Sequence, residues 1–313
     1  MSPPQPLPQL TGDRLFITDG GLETTLMFEH GIDLPCFAAF PLVEDFGGRA
    51  LLRRYYEPFV ALAAAHGTGL IVDTATWRAS PDWGSALGWS PARLDEVNRE
   101  AVALAEEVRA AAAARGVPAV VSGTIGPRGD GYVPGARMSA RESEAYHAVQ
   151  IASFAGTSAD MVCALTLTTP DEAVGIVRAA RAEGLPVAIS FTLETDGRLP
   201  DGTALRDAVE QVDAATDAGA AYFMVNCAHP EHIEPALVGG GAWLDRIAGL
   251  RANASRLSHA ELDEAEELDD GDPEELGLQY HDLRDHLRAV TVVGGCCGTD
   301  HRHVAAICQA WPA

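Results

Sequence analysis

The chain has 313 residues, 47% of them apolar and 21% charged, enough for one large core and neither fibrous nor disordered in character. Forty-five acidic residues against 22 basic ones leave a net charge of −23, which repels phosphate backbones and anionic membrane faces and so argues against nucleic acid or a membrane as partner. Every base is an arginine; a chain without lysine is not a Schiff-base aldolase, a pyridoxal-phosphate enzyme or a Walker-A nucleotidase. No apolar run approaches the ~20 residues of a membrane span. Met1-Ser2-Pro3-Pro4-Gln5-Pro6 has neither a basic flank nor an apolar stretch, so residues 1–12 read as a flexible arm and the location as cytoplasmic.

Short apolar runs then alternate with helical patterns. In chain order, strands are predicted at Leu15–Asp19, Leu70–Thr74, Pro118–Gly123, Met161–Thr166, Val187–Thr192, Ala221–Asn226, Ile247–Ala252 and Val290–Gly294. Helices are predicted at Leu51–His66, Arg93–Ala114, Ala140–Ala155, Asp171–Ala182, Ala204–Ala218, Glu274–Leu287 and near His303–Gln309, with a less regular link after Cys227. The strands are nearly continuous hydrophobic runs, as in a parallel sheet covered by helices. Eight such units predict an α/β fold, a single-domain (β/α)8 TIM barrel over residues 13–313. No Gly-x-Gly-x-x-Gly follows the first strand, which weakens a dinucleotide-binding reading. Residues 261–275, with ten acids in fifteen positions, read as a solvated excursion after the seventh strand.

Barrel enzymes carry their chemistry at the C-terminal ends of the strands. Asp19-Gly20-Gly21 ends strand one, Asp73 to Arg78 strand two, and Glu194-Thr195-Asp196-Gly197 strand five. Asn226-Cys227 ends strand six and Gly294-Gly295-Cys296-Cys297-Gly298-Thr299 strand eight. Of the six cysteines, Cys36, Cys163 and Cys308 lie in apolar surroundings and read as small core residues. Strands six and eight are two apart in the ring, so Cys227, Cys296 and Cys297 can converge. Three thiolates with an open fourth position suit zinc; a redox-active vicinal pair, with Cys227 a separate core thiol, fits the same spacing.

Asp19-Gly20-Gly21, Gly126-Pro127-x-Gly129, Asn226-Cys227, the Gly-Gly-Cys-Cys-Gly-Thr segment and His303 together resemble the homocysteine S-methyltransferase family, from about Asp13 to Gln309. The resemblance implies a zinc-containing barrel in which Cys227, Cys296 and Cys297 are the metal ligands. It also implies two small-molecule partners: homocysteine or a related thiol, and a methyl donor, with methionine or an analogue as product. The absence of an appended corrinoid or folate domain favours a free cationic donor such as S-methylmethionine. Zinc deprotonates a bound thiol, whose sulfur then attacks the donor methyl in one displacement. Asp19 matches the family aspartate that helps hold homocysteine, with Gly20 and Gly21 beside it; Asn226 either orients the zinc loop or ends its strand. Arg78 is a candidate for a substrate carboxylate. Trp77, Phe37 and Tyr132 either face the donor cation or pack the core. His229 and His232 follow Cys227 as competing ligands or as solvated loop residues. The sequence allows a homo-oligomer.

Two positions depart from the family pattern. Aligning Thr169-Pro170-Asp171-Glu172-Ala173 puts Leu165 where members carry a glutamate for the homocysteine amino group. Thr25 stands where Gly-Gly-x-x-Thr-Glu expects an acid. Either another acid takes the ammonium, Glu194 first and Glu23 second, or the thiol lacks that group. Two rival functions remain: a zinc hydrolase that activates water, and a barrel that binds a thiol, or closes a vicinal disulfide, without turnover.

Overall fold

The computed structural model describes residues 6–132, 135 and 137–311. Its strands are β1 (Phe16–Ile17), β2 (Gly69–Asp73), β3 (Ala119–Ile125), β4 (Met161–Leu167), β5 (Val187–Phe191), β6 (Tyr222–Asn226), β7 (Ile247–Ala252) and β8 (Val292–Gly295). They pair in parallel in chain order, and β1 closes on β8 with Phe16 opposite Val292 and Ile17 opposite Val293. The main covering helices are α1 (Phe46–His66), α2 (Pro91–Ala113), α3 (Ala140–Ala155), α4 (Pro170–Glu183), α5 (Leu205–Thr216), α6 (Pro230–Leu237), α7 (Pro273–Arg284) and α8 (His301–Ala310). This is the TIM barrel that the alternating pattern predicts.

The strands are apolar on both faces because each face has its own core. On β4, Met161, Cys163 and Leu165 belong to the barrel interior, while Val162, Ala164 and Leu167 pack outward under the helices. On β6, Tyr222 and Met224 point in and Phe223 and Val225 point out. Carried two residues further, the same alternation brings Asp73 on β2 and Asn226 on β6 to the mouth of the barrel, where both line a cavity.

The N-terminal arm is only partly as expected. Residues 1–5 lie outside the described residues. Leu7 joins the interior core, and Gln9, fully buried in a short 3-10 turn (Pro8–Leu10), donates through Nε2 to Met161 Sδ at 3.2 Å. The segment therefore packs against the interior side chains instead of trailing as a loose arm through residue 12. Helix α1 begins five residues before the expected Leu51, because Asp45 caps it by accepting from Gly48 N at 2.6 Å, and Gly47-Gly48 hide that start. The link after Cys227 contains α6, whose signal is masked by Pro230 and Pro235. Among the described residues no helix is long and apolar enough to cross a membrane.

Candidate active site

The strand ends open into a cavity of about 480 Å³. On one side stand the three cysteines. Cys227 follows β6 in a left-handed conformation (φ 53°), which turns the chain sharply and aims its sulfur toward the loop after β8. That loop packs against the turn after β1. A Cβ on Gly21 would stand 2.7 Å from Cys296 O, and Gly21 N donates to Thr299 O at 2.9 Å, so the Gly20-Gly21 step is needed for this close approach. The three sulfurs lie within 4.8 Å of one another, with Cys227 Sγ 3.7 Å from Cys297 Sγ. Cys227 and Cys296 are joined as a disulfide, leaving Cys297 as the free thiol of the three. Burial pushes the Cys297 thiol up to about 11 against the pull of the Tyr132 hydroxyl.

A polar frame fixes these sulfurs. Asn226 Oδ1 accepts from Thr166 N (2.8 Å) and Ser190 Oγ (2.6 Å), which leaves its Nδ2 to donate to Thr166 Oγ1 and to approach Cys296 Sγ at 3.6 Å. It thus ties the ends of β4, β5 and β6 together and also faces the sulfur cluster. The Cys227 carbonyl accepts from His259 Nε2 at 2.8 Å and from Thr192 Oγ1 at 3.1 Å. The His259 ring stacks on Tyr132 at 4.2 Å, and the Tyr132 hydroxyl points to Cys297 Sγ (3.5 Å) and Cys227 Sγ (4.0 Å). Sequence reasoning misses His259, which stands two residues before the acidic stretch 261–275 and reads as part of the same solvated loop.

Glu194 belongs to this frame and is not on the cavity wall. Its Oε1 lies 3.1 Å from His259 Nδ1, so it buttresses the Cys227 loop rather than replacing the acid missing at Leu165. His229 caps α6 by accepting from Glu231 N, and neither it nor His232 joins the sulfur cluster. His303 bridges Asp300 and the Asp270 carbonyl at the start of α8.

The other side of the cavity is ionic. Arg251, buried near the end of β7, donates from Nη2 to Asp19 Oδ1 (2.6 Å), from Nη1 to Asp73 Oδ2 (2.5 Å) and from Nε to Gly295 O (3.1 Å). Asp19 Oδ2 accepts from Tyr55 OH at 3.1 Å. Burial pushes Asp19 up to about 6 against the pull of Arg251. Arg251 is the cavity residue that strand reading hides: it is the single charge in the run Ile247–Ala252, and a cation at the C-terminal end of an otherwise apolar barrel strand is the signal that could have found it. Leu165 lines the same cavity. Thr25 is buried outside the cavity wall, while Glu23 lines it and is pushed up to about 7 by burial.

Arg78 is buried at the rim between Trp77 and Trp83, 4.2 and 3.8 Å from the ring centres, and donates to Gly129 O at 2.8 Å. Trp77, Phe37 and Tyr132 all line the cavity, so the aromatic candidates face it. Two expectations are corrected here. Cys36 is exposed and borders the cavity instead of packing in the core. The acidic stretch is not wholly solvated, since Asp263, Glu267 and Asp269 form part of the cavity wall.

A parallel eight-stranded barrel that gathers three cysteines and a buried ionic cluster at its C-terminal mouth is built as a barrel enzyme with its site at this end. Residues 16–311 match the family model for homocysteine S-methyltransferase, and the chain belongs to that family of methyltransferases. "Homocysteine S-methyltransferase 4" of Zea mays is 22% identical over 94% of this chain and 88% of its own length. The homocysteine methyltransferase MmuM of Escherichia coli is 22% identical over 96% of this chain and 97% of its own, with a TM-score of 0.75 in its oxidized form and 0.73 in its metallated form.

Proposed function

We propose that the chain transfers a methyl group from a small cationic donor, such as S-methylmethionine, to the thiol of homocysteine or a related thiol, with zinc held by Cys227, Cys296 and Cys297. The observation that carries this reading is the meeting of three sulfurs within 4.8 Å on a cavity wall. The donor set suits zinc: three soft ligands leave one position for the substrate, and reducing the Cys227–Cys296 bond frees all three. Bound zinc would keep a coordinated thiol as thiolate at neutral pH, reversing the direction in which burial alone drives Cys297.

The chain's own residues hold the geometry. Asn226 and Tyr132 face the sulfurs, and His259 clamps the Cys227 carbonyl. Trp77 and Phe37 offer aromatic faces to a sulfonium, and the acidic rim raises the local concentration of a cation. In the transfer, the new sulfur–methyl bond forms as the donor's sulfur–methyl bond breaks. The thiol gives up its proton and the donor its positive charge, so no covalent enzyme intermediate is needed. The test is a screen of the reduced, zinc-loaded protein with several thiols against several methyl donors. Methylation of homocysteine that disappears with the metal is expected; thiol binding without methylation, or hydrolysis of the donor alone, contradicts the reading.

A further inference from the structure

Glu23 stands apart from the paired carboxylates of the cavity wall. It sits on the short helical turn Leu22–Thr24 that follows β1, and it lines the same cavity as Cys227, Cys296 and Cys297. That turn is fastened to the loop after β8 on both sides of Glu23: Gly21 N donates to Thr299 O at 2.9 Å, and Thr24 Oγ1 accepts from Gly298 N at 3.2 Å. The backbone that carries Glu23 is thus held against the loop that carries two of the three sulfurs. The charge of Glu23 is felt at Cys297, where it opposes ionisation of the thiol. The other charged and titratable groups facing Glu23 are Asp19 after β1, Tyr55 and Tyr56 on α1, Arg78 after β2 and Arg251 on β7. Neither arginine neutralises it. Arg251 is engaged at all three nitrogens by Asp19, Asp73 and Gly295 O, and Arg78 is held by Gly129 O and Asp130. Asp19 and Asp73 are both bound to Arg251. Among the described residues the Glu23 carboxylate makes no ion pair, and the hydrogen bond that favours its charged form comes from its own backbone N–H.

A substrate thiol arrives protonated near neutral pH and reacts as thiolate, so its proton needs an acceptor. Burial holds Glu23 at about 7, the range in which a carboxyl group can both accept and release a proton during turnover. A thiolate brought to the sulfur wall adds negative charge near Glu23 and raises it further, so the proton stays until that charge is gone. We propose that Glu23 is a catalytic residue: it takes the proton of the substrate thiol as the sulfur enters the three-cysteine site and returns it to solvent once the methyl group has moved. This rests on the methyltransferase reading and adds its proton acceptor. The S–H bond breaks as an O–H bond forms on the carboxylate, and the sulfur keeps the electron pair. That pair forms the new sulfur–methyl bond while the donor's sulfur–methyl bond breaks, its pair staying on the donor sulfur. The methylated sulfur is then an uncharged thioether. The repulsion that held the proton is lost, and Glu23 gives it to water.

The experiment counts the protons released when homocysteine binds to the reduced, zinc-loaded protein in the absence of a methyl donor, by calorimetry in buffers of different ionisation enthalpy. At pH 6 Glu23 of the unsubstituted protein already holds a proton, so about one proton should reach the buffer. At pH 8 Glu23 is ionised and captures it, so the release should fall below about half a proton. Glu23→Gln should release about one proton at both pH values, with its zinc content unchanged. In turnover, Glu23→Gln should lose at least about a hundredfold in kcat/KM for the thiol, and Glu23→Asp should recover part of it. A release near one proton at both pH values in the unsubstituted protein, or the same fall with pH in Glu23→Gln, overturns the proposal. If Glu23→Gln does not fold or loses its zinc, the pH trend of the unsubstituted protein still decides. Protons are counted without turnover, so failure of the methyltransferase reading, seen as no methylation of any thiol by any donor, is distinguishable from failure of the Glu23 assignment.

Discussion

The two walls of the cavity are built in opposite ways. The sulfur wall, from β6 and β8, is neutral and soft: a cysteine in a left-handed turn meets a Gly-Gly-Cys-Cys-Gly-Thr loop, with Asn226 and Tyr132 against the sulfurs and His259 on the Cys227 carbonyl. The ionic wall, from β1, β2 and β7, joins groups distant in the chain, with Arg251 standing 178 residues from Asp73 and 232 from Asp19. The first wall gathers three sulfurs; the second sets two buried carboxylates against one guanidinium. Variants of the two walls should therefore have separable effects.

The largest effects belong to the sulfur wall. Changing Cys227, Cys296 or Cys297 to Ala should take the reduced protein from one zinc per chain to below about a tenth, with methyl transfer lost alongside, because each variant removes one of three protein ligands. Cys308→Ala, distant in the packed interface under α8, should keep its zinc. Elemental analysis of the purified variants checks both. Full occupancy in the three site variants would remove the metal from this wall.

Breaking the ionic wall should cost stability instead. Arg251→Met leaves Asp19 and Asp73 buried without their cation, an expected loss of about 3–5 kcal/mol measured by urea unfolding, with zinc per folded chain unchanged. If folded Arg251→Met also lost its zinc, the separation between the walls would fail.

A smaller effect is expected where the frame meets the metal loop. His259→Ala removes the donor to the Cys227 carbonyl and the ring under Tyr132, and zinc affinity in a chelator competition should weaken by roughly 10–100-fold. Glu194→Gln, one step further out, should weaken it less. A selective effect of Glu194→Gln on homocysteine over an amino-free thiol would return Glu194 to the cavity wall.

The smallest effect is on pH dependence. Burial raises Glu23 from its ordinary 4.5 to about 7, so the folded chain keeps a proton that the unfolded chain releases. Stability should then fall as pH rises from about 4.5 through about 7. Glu23→Gln should flatten this slope above pH 6, while Asp19, raised from 3.8 to about 6, keeps a slope of the same sign below it. Melting temperatures across that range distinguish the two contributions.

These contrasts also explain what was legible in the sequence. The barrel follows from strand–helix alternation because the strands are apolar toward two cores, and the meeting of the cysteines follows from their places just after β6 and β8, two strands apart in the ring. The ionic wall was not legible, since Arg251 lies inside an apolar run and Asp73 gives only a strand terminus; their pairing exists only once β1, β2 and β7 close into a ring. Glu194 was misplaced for a related reason. Its strand position predicts closeness to Leu165, but His259 from the loop after β7 intercepts it. That loop's acidic composition hides both the histidine and the residues that wall the cavity.

The most direct test of zinc-thiolate chemistry is X-ray absorption at the zinc edge of the reduced, metal-loaded protein, before and after homocysteine is added. Three sulfur neighbours at about 2.3 Å are expected in the free protein and four with homocysteine bound. Fewer than three sulfurs at the outset, or a sulfur count that homocysteine leaves unchanged, would contradict the assignment.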